Sequence, residues 1–290
     1  AVNGINMPLA IIGTEAVWQR TLRQFNFSEK EILGFIPGPA YKAWWLMGNL
    51  EGWCGPVSQQ WIDNQVILQK KILKRMKELG MTPVFQGFYG MVPDLMRSKF
   101  PANKIYNGGL WAGDKHGFQR PAFLDPSDPL FDQMASVFYD EQQKLFGETT
   151  FYGGDPFHEG AVTEGIDITL SAAKIHQSML KKHPKSIWVL QGWWDNPRKE
   201  LLDGTEKDHV MILDLFAESK PQWEERQGYD GRKWAWCTLL NFGSKSGNFG
   251  KLDTFAIEPV RALKSPYGKN AYAIGTMMEG NETNPVNYEL

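Results

Sequence analysis

No stretch of the 290-residue chain approaches the ~18 uninterrupted apolar residues that a membrane-spanning helix needs, so no membrane span is expected. The N-terminus also lacks a charged stretch followed by a short apolar run, so no signal peptide is visible. Neither sign of charge dominates: 31 Lys and Arg face 33 Asp and Glu, for a net charge of -2. That balance removes the electrostatic case for nucleic acid as a partner. Two cysteines, Cys54 and Cys237, cannot build a disulfide framework, and no Cys/His spacing matches a structural zinc site. No Gly-rich phosphate turn follows the first apolar run, which disfavours a doubly wound nucleotide fold. Neither metal nor organic cofactor is expected.

Tryptophan is what the chain has in excess. Twelve Trp, with 17 Phe and 9 Tyr, bring aromatics to 13%, and many sit beside glycines in apparent loops. An indole face outside the core needs a partner, and the C–H face of a pyranose supplies one. A Trp-rich cleft therefore reads as a sugar site, with a large aromatic core as the alternative.

Apolar runs of strand length alternate with helical patterns, without a linker or low-complexity segment between them, which indicates one α/β domain over 1–290. The first strand is expected over Ile5 to Ile12, with Thr14 capping the helix that follows. Ser28 and Glu31 form a capping box, and the segment of Gly38, Trp44, Trp45, Trp53 and Pro56 is expected to be a long irregular loop. Ser58 to Leu79 is the clearest helix, with Ile62, Val66, Leu73, Met76 and Leu79 on one stripe and Gly80 as its stop. Pro129 to Phe146 and Ile166 to Lys182 are helical. Further strands are expected at Thr82 to Phe88, Thr150 to Asp155, Ser186 to Trp193, Val210 to Phe216, Lys233 to Leu240 and Ala271 to Met277. Seven strands fit a (β/α)8 TIM-type barrel with one strand missed or outside the chain. The chain begins almost inside one strand and stops soon after another, as an excised catalytic domain would.

In a barrel the chemistry lies where strands end. Two strand ends carry carboxylates: Glu159 in Tyr152-Gly-Gly-Asp-Pro-Phe-His-Glu159, and Glu279 in Ile274-Gly-Thr-Met-Met-Glu279. Two carboxylates from separate strands are what glycoside hydrolysis needs, one as acid and one as nucleophile or base. Asp155 and Glu282 lie beside them in sequence, with capping or surface roles the simpler reading. Asp214 and Glu218 could touch substrate hydroxyls or brace the rim. His116, His176, His183 and His209 show no metal or triad spacing.

The strings Gly38-Pro-Ala-Tyr-Lys-Ala-Trp-Trp-Leu-Met-Gly-Asn-Leu50, Gly80-Met-Thr-Pro-Val84, Leu190-Gln-Gly-Trp193, Leu213-Asp-Leu-Phe-Ala-Glu-Ser219 and Trp236-Cys-Thr-Leu-Leu-Asn-Phe-Gly243 resemble the alpha-N-acetylglucosaminidases of glycoside hydrolase family 89. The resemblance runs over essentially the whole chain. It implies a retaining exo-enzyme that releases terminal α-linked N-acetylglucosamine from a glycan, through a barrel flanked by a small N-terminal and a helical C-terminal domain. It also implies Glu159 as acid/base and Glu279 as nucleophile. The sugar-lining positions fall on Trp44, Met47, Trp111, His158, Trp193, Leu239 and Phe242. His158 stands where some relatives have Asn, and the run from Phe242 to Gly250 is looser than the family's Asn-Phe-Gly-Gly.

Substrate chemistry points to a protein nucleophile independently. In an α-linked 2-acetamido sugar the acetamide lies on the leaving group's face and cannot attack from behind, so a carboxylate must. Retention by that route sets the two carboxyl groups about 5 to 5.5 Å apart, with Glu159 kept protonated by apolar surroundings and by the charge of Glu279. A carbohydrate-binding or scaffold domain, and a barrel hydrolase for another sugar, are the rival readings. A glycan on the sequon Asn281-Glu-Thr283 would obstruct the cleft. A bacterial parent is therefore expected, and the resemblance implies an exported, periplasmic or extracellular one; Asn26-Phe-Ser28 is a second sequon.

Overall fold

The computed structural model describes residues 4–112, 117–240, 242 and 250–279. They fall into two compact units, Ile5–Trp188 with Glu200–Thr205, and Val189–Lys199 with Glu206–Leu290.

The first unit is built on aromatic packing. Helix Thr14–Gln24 buries Ala16, Val17, Trp18 and Leu22, and Trp18 meets Phe138 at 5.1 Å, Phe35 at 5.3 Å and Phe88 at 5.9 Å between ring centroids. Thr14 is not the cap of this helix. Gly13 holds that position at φ 77°, a left-handed geometry cheap only for glycine, and the Thr14 hydroxyl donates to the Ile11 carbonyl. Ser28 and Glu31 form the expected capping box. Helix Gln59–Glu78 is capped by Ser58 and ends before Gly80 at φ 70°. Of its expected stripe Ile62 is buried, Val66, Leu73 and Met76 are half-buried, and Leu79 is exposed. Gln69 supplies the other contact, donating to the Ala10 carbonyl.

Strand Val84–Gln86 runs parallel to Phe151–Gly153, with Val84 opposite Phe151. Beyond it, Ile187 donates to the Thr150 carbonyl at the start of Ile187–Gly192. The expected first strand reduces to a bridge of Leu9 on Val84. Pro8 has no N–H to give the ladder, so the segment follows its neighbour through Ala10 N–H to Val84 O without forming a regular strand. Helices Pro129–Phe146, capped by Asp128, and Ile168–Lys182, capped by Asp167, lie within two residues of their expected bounds.

The segment 38–56 contains more order than composition suggested. Pro39–Tyr41 is a 3-10 turn and Lys42–Leu46 a one-turn helix, which drives Trp45 fully into the core against Phe35. Five residues are too few to display a helical period. Short antiparallel pairs were equally invisible: Ala122–Leu124 between Met91–Val92 and Ile105–Tyr106, and the hairpin of Leu110–Trp111 with Phe118–Gln119.

In the second unit strand Lys233–Thr238 lies between Val210–Asp214 and Ala271–Thr276, parallel to both. Gly192 follows on the other side of Val210–Asp214, its carbonyl accepting from Leu215. Helix Leu252–Lys264 buries Phe255 and Ala262, and Trp223 stacks on Trp234 at 5.4 Å. Each of these strands is within three residues of its expected position at either end. Among the described residues no helix is long and apolar enough to cross a membrane, and no group of three or more His, Cys, Asp or Glu could hold a metal ion.

Candidate active site

In the first unit the turn after Phe151–Gly153 carries Glu159. Phe157 and Glu159 both adopt left-handed backbone geometry, at φ 64° and 46°. For residues with a Cβ this costs on the order of 1 to 2 kcal/mol each, and such strain persists only where surroundings impose it. Arg120, which is 3% exposed, is bonded to this turn. Its NH2 donates to the Glu159 carbonyl at 2.5 Å, and its NH1 lies 3.3 Å from the carbonyls of His158 and of Gly48.

Side chains then fix the carboxylate. Asn49 Nδ2 donates to Glu159 Oε2 at 2.8 Å and Trp111 Nε1 donates to the same oxygen at 3.0 Å. Asn49 is fully buried and follows the short helix Lys42–Leu46, its N–H closing on the Trp44 carbonyl. Trp111 comes from the hairpin, with Phe118 packed on it at 5.7 Å and Trp53 on Phe118 at 4.7 Å. A further bond, Glu51 N–H to Gln119 O, ties the Asn49 loop to that hairpin. Two N–H donors thus converge on Oε2 of Glu159.

Below this turn lies a cavity of about 40 Å³, lined among others by Met47, Tyr89, Arg120, Asp155, Phe157 and His158. It has room for water. Asp155 is buried here beside Tyr89, not in a cap or on the surface, and burial with the Asp155 charge pushes the Tyr89 hydroxyl far up. His158 is 2% exposed, and its carbonyl is one of Arg120's acceptors.

The structure brings Glu159 and Trp111 into direct contact and sets Met47 and His158 on the cavity beneath. Trp44 is half-buried, 6.4 Å from the Tyr41 ring. The second unit carries the other sequence candidates. Trp193 is half-buried and packs edge-on to Phe242 at 5.7 Å, with Phe216 5.0 Å from Phe242 and 6.2 Å from Trp193. Reciprocal main-chain bonds between Trp193 and Asn196 tighten its turn. Leu239 is buried, and its N–H donates to Glu218. Glu279 is exposed, three residues past Ala271–Thr276.

Asp214 and Glu218 brace loops. Asp214 Oδ2 accepts from the N–H groups of Gln222 and Trp223, and Glu218 Oε1 from those of Leu239 and Leu240. Burial, first of all, pushes the Asp214 carboxyl up to about 6. His176 and His183 are core residues, against Trp188 and stacked on Tyr152. His116, Glu282, the sequon at 281–283 and most of the run from Phe242 to Gly250 lie outside the described residues. Sequence reasoning missed Asn49 and Arg120 as members of the cluster. Asn49 lies in the string from Gly38 to Leu50 without any mark of its role, Arg120 lies in none of the strings, and 71 positions separate them.

A succession of parallel strands and helices, with polar side chains gathered just past a strand's C-terminal end, defines the chain as an α/β protein with its candidate site where α/β barrels carry theirs. It belongs to the family described as the Alpha-N-acetylglucosaminidase (NAGLU) tim-barrel domain, whose family model matches residues 1–290. The chain is 35% identical over 303 residues to the human alpha-N-acetylglucosaminidase, a match that takes in all of the chain and 40% of that protein. A solved structure of the family 89 glycoside hydrolase from Clostridium perfringens, in complex with 2-acetamido-1,2-dideoxynojirmycin, superposes with a TM-score of 0.92 at 38% identity, over 99% of this chain and 32% of that one. The same enzyme with two glutamates replaced by glutamine, in complex with its substrate GlcNAc-alpha-1,4-galactose, matches equally well at 37% identity. The chain thus spans well under half the length of these relatives.

Proposed function

We propose that the chain is the catalytic barrel of a retaining exo-glycosidase that removes terminal, non-reducing α-linked N-acetylglucosamine from a glycan. The observation that carries the reading is Glu159, set in a strained turn past a strand end and clamped through Oε2 by Asn49 and Trp111, in a chain of this family. Support for the sugar comes from the relatives, one of which is solved with GlcNAc-alpha-1,4-galactose as its substrate.

Each step follows from the chemistry of the bond. Glu159, protonated, gives its proton to the glycosidic oxygen as that bond breaks. Glu279, as carboxylate, attacks the anomeric carbon from the opposite face and forms a glycosyl ester, because the cis acetamide cannot. Glu159, now a carboxylate, takes a proton from water, which attacks the same carbon and releases Glu279. Two inversions leave the configuration as it began. Trp193 and Phe242 supply an apolar wall of the kind a pyranose C–H face seeks. We propose a bacterial parent protein on the sequon argument and, from the resemblance to the family, an exported one.

The test separates the two glutamates in the full-length protein. Glu159→Gln should slow substrates with poor leaving groups by at least ~100-fold and activated aryl α-N-acetylglucosaminides far less, while Glu279→Gln should abolish both. Equal responses of the two variants to leaving-group acidity would remove the assignment.

A further inference from the structure

Arg120 is a buried cation to which the reaction above gives no task. Burial pushes its guanidinium below its ordinary range, with the charges of Glu159 and Tyr89 opposing. Its bonded acceptors are the carbonyls of Gly48, His158 and Glu159 and the side-chain oxygen of Asn49, the last at 2.9 Å from NH1. None is a carboxylate oxygen.

The bond to Asn49 has a consequence for Glu159. An asparagine amide is nearly symmetric in shape, with an acceptor on one side and two donors on the other. A guanidinium donates only. Facing it therefore forces Oδ1 toward Arg120 and Nδ2 toward the Glu159 carboxylate. Turned over, the amide would set oxygen against oxygen at Glu159 and N–H against N–H at Arg120, and both bonds would be lost.

We propose that Arg120 is a positioning residue for Glu159: by fixing the sense of the Asn49 amide it turns Nδ2 toward Oε2, commits that oxygen to accepting from Asn49 and Trp111, and holds the carboxyl in one orientation. The proposal rests on the reading of Glu159 as the acid. A general acid works only when its proton lies within hydrogen-bond reach of the leaving oxygen, and a carboxyl free to exchange its two oxygens would present it a fraction of the time. Arg120 acts through Asn49 and through the two carbonyls of the turn, and touches no reacting atom.

The experiment uses the full-length protein with Asn49→Ala, Arg120→Met, Arg120→Lys and the double variant, beside Glu159→Gln. Asn49→Ala and Arg120→Met should each lower kcat on poor leaving groups roughly 10- to 100-fold, with KM little changed and a smaller loss on activated aryl glycosides. The double variant should fall little below Arg120→Met, because the two act in series. Arg120→Lys keeps a donor toward Asn49 Oδ1 and should recover part of the loss. An activity-independent readout is the Trp111 indole N–H resonance in ¹⁵N-tryptophan spectra, assigned through Trp111→Phe. It should move in Glu159→Gln and in Arg120→Met alike. An unmoved indole resonance in folded Arg120→Met overturns the proposal. So does a loss equal across leaving groups that merely tracks thermal stability. If instead Glu159→Gln leaves poor substrates unharmed, the acid reading fails, whatever the indole resonance does.

Discussion

Replacing Asp214 by asparagine should stabilise the protein at neutral pH, although it removes a charge that accepts two hydrogen bonds. Asp214 ends strand Val210–Asp214 with no exposed surface, and Oδ2 holds the N–H groups of Gln222 and Trp223, each at 2.9 Å. Those bonds favour the carboxylate. Burial disfavours it more, and the carboxyl is pushed from 3.8 up to about 6. A folded-state value above the unfolded one means the extra stability is fully present below pH ~4 and is lost as pH rises through ~6. At about 1.36 kcal/mol per pKa unit the loss is about 3 kcal/mol. The asparagine amide would keep an oxygen for both N–H groups and escape that loss. Thermal unfolding of the wild type and Asp214→Asn from pH ~4 to ~8 reads this directly. The variant should match or fall slightly below wild type near pH ~4 and rise above it by up to about 3 kcal/mol past pH ~6.5, or roughly 5 to 10 °C in Tm. A deficit of about 2 kcal/mol or more at every pH would show that the charge itself anchors the loop, and would refute the reasoning. Function is tied in, because the loop contains Phe216, which packs on Trp193 and Phe242.

Two further substitutions test the proposed sugar wall at Trp193 and the hairpin that bears Trp111. Trp193→Ala should weaken an N-acetylglucosamine-type iminosugar by roughly 5- to 30-fold in calorimetry, since one indole face against a pyranose is worth on the order of 1 to 2 kcal/mol; a loss under ~2-fold would take Trp193 out of the sugar site. Gly108→Ala would set a Cβ 2.0 Å from the Pro121 carbonyl oxygen, a main-chain atom that cannot yield, so the hairpin bearing Trp111 must shift. Expected are a destabilisation of about 2 kcal/mol and a loss of kcat, and wild-type behaviour in both assays would contradict that close approach.

Much of the framework was legible because its signals are local and long. Asp128 with Pro129 opens and Gly147 closes a helix of 18 residues, and apolar runs such as Val210–Asp214 have no other economical home than a buried strand. What escaped was short or non-local. The helix Lys42–Leu46 and the pair Leu110–Trp111 with Phe118–Gln119 are too brief to show a period. Leu9 could not extend a strand through Pro8. At the candidate site Glu159 and Trp111 could be named from the sequence, through strand-end position and family strings. The clamp of Asn49 and Arg120 could not, because what makes those two residues matter is the complementarity of an amide and a guanidinium brought together by folding.

The configuration of the first-formed sugar tests the central claim most directly. In ¹H NMR of the full-length protein acting on an aryl α-N-acetylglucosaminide, double displacement through Glu279 and Glu159 predicts α-N-acetylglucosamine at the earliest time points, with the β-anomer growing in only at the rate of mutarotation. β-N-acetylglucosamine appearing first would mean a single displacement by water, with no glycosyl ester on Glu279 and with carboxyl groups spaced for inversion rather than retention.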